Sequence, residues 1–391
     1  MFKVLQLNDI DNDGLKLLDE AKFTYSKEID SPDAILLRSH NLLNFDIPDS
    51  VKVIVRAGTG VNNIPTPRLT EKGVVVMNTP GANANAVKEL VLAGLLIANR
   101  NICQASAYVN SLDLKGSELD SHVEKVKKQY AGSELSGKTL GVIGLGNVGL
   151  LVANAAIDLG MKVIAYDPFL SKDNLAKISS KVTIVGNIQA ILPASDFITL
   201  HVPFFESTKN LIDAGEIKSM KDGAVILNFS RSGIINDSAI LDALNQKKLK
   251  SYVTDFPSEE FRGNPKIIAL PHLGGSTGEA ERNCATMAAN QLVNFLNFGI
   301  IDNSVNFPTV GFYANQHYRI LITNKNIPSM VSQITTYLSS ENFNIDELIN
   351  KSRDDVAYTV IETDHQPTET LLKKLSEIEG VLRVRSLYLG E

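Results

Sequence analysis

Short apolar runs of β type alternate with amphipathic helical stretches through roughly the first 300 residues, the pattern of parallel sheets covered by helices. The alternation predicts strands at Phe2–Leu7, Ala34–Arg38, Val51–Arg56 and Val74–Asn78, with helices at Gly14–Glu20 and Ala86–Ala98 among them. A second set of strands is predicted at Thr139–Ile143, Val163–Asp167, Val182–Val185, Phe197–His201, Ala224–Asn228 and Ile267–Leu270, several of them bounded by Gly, Pro or Asp. Between the sets, Asn101–Gly137 is polar and lacks β alternation. Its charged run, Glu124–Lys128, reads as a solvated helix face or a dimerisation arm. Glu279–Asn297 reads as a long helix that returns the chain to the first domain, which is therefore discontinuous.

A stretch rich in Pro, Gly and Asn, Phe307–Gln316, reads as a linker. After it the pattern is strand (Tyr318–Thr323), helix (Pro328–Ser340), strand (Ile345–Lys351), strand (Val356–Glu362), helix (Thr368–Ile378) and strand (Val381–Leu387). The expected fold class is therefore α/β: two doubly wound parallel-sheet, Rossmann-like domains plus a C-terminal ferredoxin-like βαββαβ domain. The expected boundaries are 1–98 with 290–308 for the first domain, 99–289 for a dinucleotide-binding domain with its arm, and 317–391 for the last.

Composition narrows the function. Apolar residues make up 44% of the 391 and charged residues 21%, an ordinary globular balance. A net charge of −6 argues against broad attraction to nucleic acid or anionic lipid. Cys103 and Cys284 stand far apart and no Cys/His cluster has metal-ligand spacing, so reduced thiols and no metal are expected. The N-terminus reads as a strand and not a signal peptide, and the most apolar stretch, Leu90–Ala98, is too short to span a bilayer. A cytoplasmic protein without membrane or nucleic-acid partners is the expectation.

The segment from Thr139 to Asp167 carries the strongest chemical signal. Gly144, Gly146 and Gly149 fit G-x-G-x-x-G between a strand and a helix at Leu150–Leu159, with Asn147 and Val148 inside the motif as further cofactor candidates. Gly144 permits a tight turn, Gly146 admits a pyrophosphate, and Gly149 lets helix and strand approach; helix amides then face the phosphates. Asp167, followed by Pro168, ends the next strand, where an acidic side chain accepts the ribose hydroxyls and repels a 2′-phosphate. NAD is the expected cofactor.

Oxidising an alcohol by hydride transfer needs a base for the hydroxyl proton and a cation for the developing carbonyl. Arg231 and His272 each follow a predicted strand, and Glu260 lies between them in sequence. With these residues the chain resembles the D-isomer-specific 2-hydroxyacid dehydrogenases, and within that family the phosphoglycerate dehydrogenases. The likeness is carried by Arg56-Ala57-Gly58-Thr59-Gly60-Val61-Asn62-Asn63, the glycine turn, His201-Val202-Pro203 and Pro271-His272-Leu273-Gly274-Gly275-Ser276-Thr277.

The resemblance implies that Arg231 binds the substrate carboxylate and reacting oxygen. It makes His272 the acid–base group, with Glu260 on the imidazole's far nitrogen. It adds His201, Val202, Pro203, Thr208, Asp255, Gly274 and Gly275 to the cofactor site. Arg38, Ser39, Arg56, Gly58 and Asn83 match substrate positions, two arginines at strand ends suiting a phosphorylated 2-hydroxyacid. Ser232 and Phe261 depart from the family's glycine and proline. The last domain resembles an ACT regulatory domain. Asn324, Asn326 and Asn344 match effector positions, with Asn324 and Ser329 standing where serine-binding members have histidine and glycine. Either L-serine binds there or the domain only assembles subunits; a homodimer or homotetramer is implied. Other readings stay open: a dehydrogenase of glycerate or 2-hydroxyglutarate, or an NAD-sensing corepressor-like binding protein.

Overall fold

The computed structural model describes residues 1–311 and 318–390, and it divides into two compact units, Met1–Asn83 with Gly278–Glu391, and Ala84–Thr277. Part of the expected linker, and the first and last residues of the expected third domain, lie outside the described residues.

The first unit opens with a parallel sheet of β1 (Phe2–Leu7), β2 (Phe23–Ser26), β3 (Ala34–Leu37), β4 (Val53–Arg56) and β5 (Val75–Met77), in the order β2-β1-β3-β4-β5. β3 is buried along its whole length, as a strand covered on both faces must be, and its residues are all apolar. β2 was not anticipated: Phe23 is its only buried residue, too little for a legible period. The helix expected at Gly14–Glu20 is a single turn, Asn12–Leu15, capped by Asp11, whose side chain accepts the Asp13 amide. The long helix Gly278–Phe298 belongs wholly to this unit. Its Cys284, Ala288, Leu292 and Phe295 share a core with Val4, Leu36, Val53 and Val55.

The second unit holds seven parallel strands: β6 (Thr139–Ile143), β7 (Lys162–Tyr166), β8 (Thr183–Ile184), β9 (Phe197–Leu200), β10 (Ala224–Asn228), β11 (Leu249–Thr254) and β12 (Ile267–Ala269). Their order is β12-β11-β10-β9-β6-β7-β8. The helix Ala84–Arg100 places Val87, Val91, Leu95 and Ala98 in one core with Val142, Val163 and Leu227. That packing assigns the helix to this unit from its first residue. The division therefore falls at 83/84 and 277/278 rather than at 98/99 and 289/290. The polar stretch after it forms the helices Ile102–Asn110 and Gly116–Val126, neither of which buries a residue.

The chain's last part adds β13 (Tyr318–Lys325), a helix (Met330–Ser340), β14 (Ile345–Arg353), β15 (Val356–Thr363), a helix (Glu369–Ser376) and β16 (Val381–Tyr388). The strands are antiparallel in the order β14-β15-β13-β16, the ferredoxin-like arrangement. Ile320, Ile322 and Ile361 face the two helices through Ile334, Leu338, Leu371 and Leu375. The opposite face is covered as well. Leu321, Tyr358 and Val360 join the core of the first sheet, and Tyr358 donates to the Gly299 carbonyl at 2.8 Å. Arg319 pairs with Glu362 at 2.6 Å, both fully buried. Arg385 lies over the Phe295 ring at 4.3 Å, and burial pushes its guanidinium down to about 10. Buried ion pairs lose much of their attraction to desolvation, so these polar groups fix the docking geometry more than they add stability.

Among the described residues no single helix is long and apolar enough to cross a membrane, and no His/Cys/Asp/Glu group could hold a metal ion.

Candidate functional site

Parallel strands end on one edge, and the carboxyl edge of the seven-stranded sheet collects the cofactor and acid–base candidates. His272 follows β12, Asp255 β11, Arg231 β10, His201 β9, Gly144 β6 and Asp167 β7. The order of strands reverses between β9 and β6, the switch point where open α/β sheets bind ligands.

The glycine turn at β6 shows why each glycine is needed. Gly144 has φ +94°, and a Cβ there would lie 2.6 Å from the His201 carbonyl oxygen. A Cβ on Gly149 would lie 1.9 Å from the Gly144 carbonyl oxygen. Gly146 differs, because its Cβ would meet nothing within 4 Å. That opening stands at the start of the helix Asn147–Asp158, where the first amides have no intrahelical acceptor. Asp167 is fixed by the Leu145 amide on Oδ2 at 2.7 Å and the Phe169 amide on Oδ1 at 2.8 Å. An open glycine cradle, a helix N-terminus and an oriented carboxylate fit the pyrophosphate and ribose of NAD.

The loop after β9 closes on itself. Thr208 donates to the Pro203 carbonyl at 2.7 Å and accepts the Phe205 amide at 2.8 Å, while Val202 packs beneath Gly144. His201 meets Thr199 Oγ1 at 3.0 Å, and burial pushes its imidazole down to about 3, so it is neutral.

Asp255 organises the other half of the edge. It is fully buried, and its Oδ2 accepts the Gly274 amide at 2.8 Å. Burial pushes the carboxyl up, against the pull of the Gly274 amide, His272 and Arg231. Arg231 is half-buried, and burial lowers its pKa while Asp255 opposes the change. Asn228, absent from the sequence-based candidates, shapes that loop: its amide donates to the Arg231 carbonyl at 2.9 Å, and its carbonyl accepts the Ser230 amide at 3.1 Å. His272 donates its backbone N–H to the Asp255 carbonyl at 2.9 Å and adopts φ +46°. That left-handed conformation is costly for a residue other than glycine. Its ring packs on Phe256 with centroids 4.9 Å apart, and Gly275 is half-buried nearby in sequence.

Glu260 sits in the turn Glu259–Phe261, anchored by buried Phe261 against Tyr252. Glu260 is exposed, and no hydrogen bond joins it to His272 among the described residues. Its charge reaches Asp237, whose carboxyl is raised by burial first and Glu260 second.

In the first unit, Asn8 Oδ1 accepts the backbone amides of Arg38, Ser39 and His40 at 3.2, 3.0 and 2.8 Å, folding that loop round one side chain. Asn8 has φ +80°, a conformation Asn tolerates well, and that was the missed signal. Arg38 Nη1 pairs with Glu281 at 2.7 Å. Arg56 braces the loop instead, donating through Nε to the Arg38 carbonyl at 2.7 Å and through Nη1 to Gly60. Gly58 accepts the Thr79 amide at 3.1 Å, and Asn83 accepts the Thr59 hydroxyl at 3.2 Å. In the C-terminal sheet, Asn324 is buried and engaged with the Lys325 carbonyl and the Thr359 hydroxyl. Asn326 and Asn344 are exposed, bonded to the Asp354 carbonyl and Asp346.

Residues 92–274 match the family described as D-isomer specific 2-hydroxyacid dehydrogenase, NAD binding domain. A D-3-phosphoglycerate dehydrogenase of Haemophilus influenzae is 31% identical over 367 residues, which cover 90% of this chain and 86% of that protein. The chain belongs to the D-isomer-specific 2-hydroxyacid dehydrogenases. A D-3-phosphoglycerate dehydrogenase of Methanocaldococcus jannaschii is 36% identical over 329 residues, 79% of this chain but only 60% of that relative's length. A hydroxypyruvate reductase of Thermotoga maritima is 37% identical over 268 residues, 66% of this chain and 82% of that one. Among solved structures, the NAD+-bound 3-phosphoglycerate dehydrogenase of Entamoeba histolytica superposes with a TM-score of 0.59 at 27% identity, covering 78% of this chain and 98% of that one.

Proposed function

We propose that this family member is an NAD-dependent dehydrogenase that oxidises 3-phosphoglycerate to 3-phosphohydroxypyruvate. The observation that carries the reaction class is the Asp255-centred group of Arg231 and His272, on the sheet edge that holds the NAD-fitting glycine turn. NAD, when bound, supplies the hydride acceptor. Arg231 holds the substrate carboxylate and polarises the reacting oxygen, where its charge favours the developing carbonyl. His272 takes the hydroxyl proton as the alcohol becomes a ketone and returns it in the reverse direction. Asp255 interacts electrostatically with Arg231 and His272 and keeps the His272 loop closed through Gly274. Glu260 is assigned to the far nitrogen of His272, an interaction the bound state has to make.

The substrate's tail is assigned to Arg38 and Ser39, with Arg56, Gly58 and Asn83 shaping their loops. Serine is assigned to the exposed Asn326 and Asn344, and homodimer assembly to the two helices at Ile102–Val126 that bury nothing within the chain. A second reading, an unphosphorylated acid such as glycerate, draws support from the Arg38–Glu281 pair, which leaves the anchor with less free charge.

The test is NADH formation and consumption across a panel of D-2-hydroxyacids and 2-oxoacids. Turnover of 3-phosphoglycerate in preference to D-glycerate and 2-hydroxyglutarate supports the proposal. Preference for an unphosphorylated acid replaces its substrate, and NAD binding without turnover of any acid replaces the enzyme with a binding protein.

A further inference from the structure

Arg38 Nη1 and Glu281 Oε1 stand 2.7 Å apart, with side chains 36% and 43% exposed. Glu281 lies in the first turn of the helix Gly278–Phe298, and that turn is held firmly. Arg282 pairs with Asp13 at 3.1 Å, and Gly14 approaches so closely that a Cβ there would lie 2.6 Å from the Ala285 carbonyl carbon. The backbone of Arg38 is fixed in turn by Asn8. The ion pair thus joins two braced segments. Beside it the Cys284 thiol, raised mainly by burial, feels the charges of Arg38, Arg56 and Glu281.

We infer that Glu281 is the resident counter-ion of Arg38 and tunes which substrate tails the enzyme accepts. The inference rests on the proposed role of Arg38 as the tail anchor. A guanidinium presents its donors in a planar fork, and Glu281 occupies one end of it. A phosphate tail gains that end only by displacing the carboxylate, which also repels it. A hydroxyl tail meets no such repulsion and finds an acceptor in Glu281. An exposed ion pair holds weakly, so displacement is feasible and its cost appears as a modest increase in KM for anionic tails. Glu281 acts through Arg38 and is a positioning residue, not a catalytic one.

Glu281→Gln keeps the shape and removes the charge. With the full-length enzyme and saturating NAD, KM for 3-phosphoglycerate is expected to fall roughly three- to tenfold, while kcat changes less than about twofold. KM for D-glycerate is expected to stay level or rise. Glu281→Ala should move KM for the phosphorylated acid in the same direction, which keeps the test intact if one variant folds poorly. A KM for 3-phosphoglycerate that is unchanged or higher in both variants overturns the inference and makes Glu281 a simple brace. Calorimetric titration of inorganic phosphate into the NAD-bound wild type, Glu281→Gln and Arg38→Ala gives a readout independent of turnover. Binding tighter than wild type in Glu281→Gln and weaker in Arg38→Ala is expected; equal affinity in all three overturns the inference. If phosphate follows the expected order and 3-phosphoglycerate is not oxidised, the counter-ion stands and the proposed substrate falls.

Discussion

Asp255 accepts the Gly274 amide on Oδ2 at 2.8 Å, while its buried Oδ1 has no hydrogen-bond partner among the described residues. A buried, half-satisfied carboxylate is an expense that a fold keeps where the charge is used. Burial raises the folded-state pKa of Asp255 above its usual value. The native state therefore prefers the proton, and the group's stabilising contribution is full below the unfolded value and lost as pH rises through the folded one. Asp255→Asn can still accept from Gly274 and carries no charge. We expect it to raise Tm at pH 7, with the gain shrinking towards pH 4, while turnover falls at least about tenfold through the loss of charge beside Arg231 and His272. Calorimetry across that pH range checks the first part and NADH kinetics the second. A variant less stable than wild type at pH 7 would show that the charge holds the loops together.

Two of the turn glycines are expected to fail in different ways. Gly149→Ala forces a Cβ into the Gly144 carbonyl, so the helix Asn147–Asp158 must move and the second unit should unfold at lower temperature, by several degrees or more. Gly146→Ala meets no protein atom, and its Tm should match the wild type. The added methyl instead fills the pyrophosphate approach, so NAD affinity should drop at least about tenfold. Calorimetry and NAD titration on both variants check the contrast.

Arg231→Lys and His272→Ala probe the reaction itself. Each should lower kcat by about 10² to 10⁴ while leaving NAD affinity nearly intact. His272→Ala retains the backbone bond to Asp255, so any loss of NAD affinity equal to the loss of turnover would identify His272 as structural. Arg231→Lys keeps the charge and loses the planar fork, so KM for the acid should rise along with the fall in kcat. Titration of NAD beside steady-state kinetics separates the outcomes.

The strands that could be read in advance were those with an uninterrupted apolar run, such as Ala34–Leu37 and Ala224–Asn228. β11 escaped because Lys250 and Ser251 interrupt it; its burial comes from neighbours on both sides, which no local window contains. The glycine turn was legible because backbone geometry dictates glycine at fixed offsets. The contacts of Arg38 with Glu281, and of its loop with Asn8, were not, since those partners lie far apart in sequence and only the fold joins them. The docking of the C-terminal sheet was hidden for a related reason. Arg319, Glu362 and Arg385 are of residue types that usually face water, yet they are the polar groups of a buried face.

His201 should make the protein sensitive to mild acid. Burial sets its folded-state pKa near 3, well below the usual histidine value of about 6.5. A depressed pKa means that the neutral ring's contribution is complete above about pH 6.5 and is lost as pH falls towards the folded value. The loss has a limiting slope of about 1.4 kcal/mol per pH unit, so about 2 kcal/mol is forfeited by pH 5. His201→Asn carries no titrating group and can still meet Thr199. Its Tm should sit below wild type at pH 7, because the smaller side chain fills the site less well, yet the decline between pH 7 and pH 5 should be shallower. Thermal unfolding of both proteins at those two pH values checks this, and parallel declines would show that His201 is protonated in the folded state at pH 5.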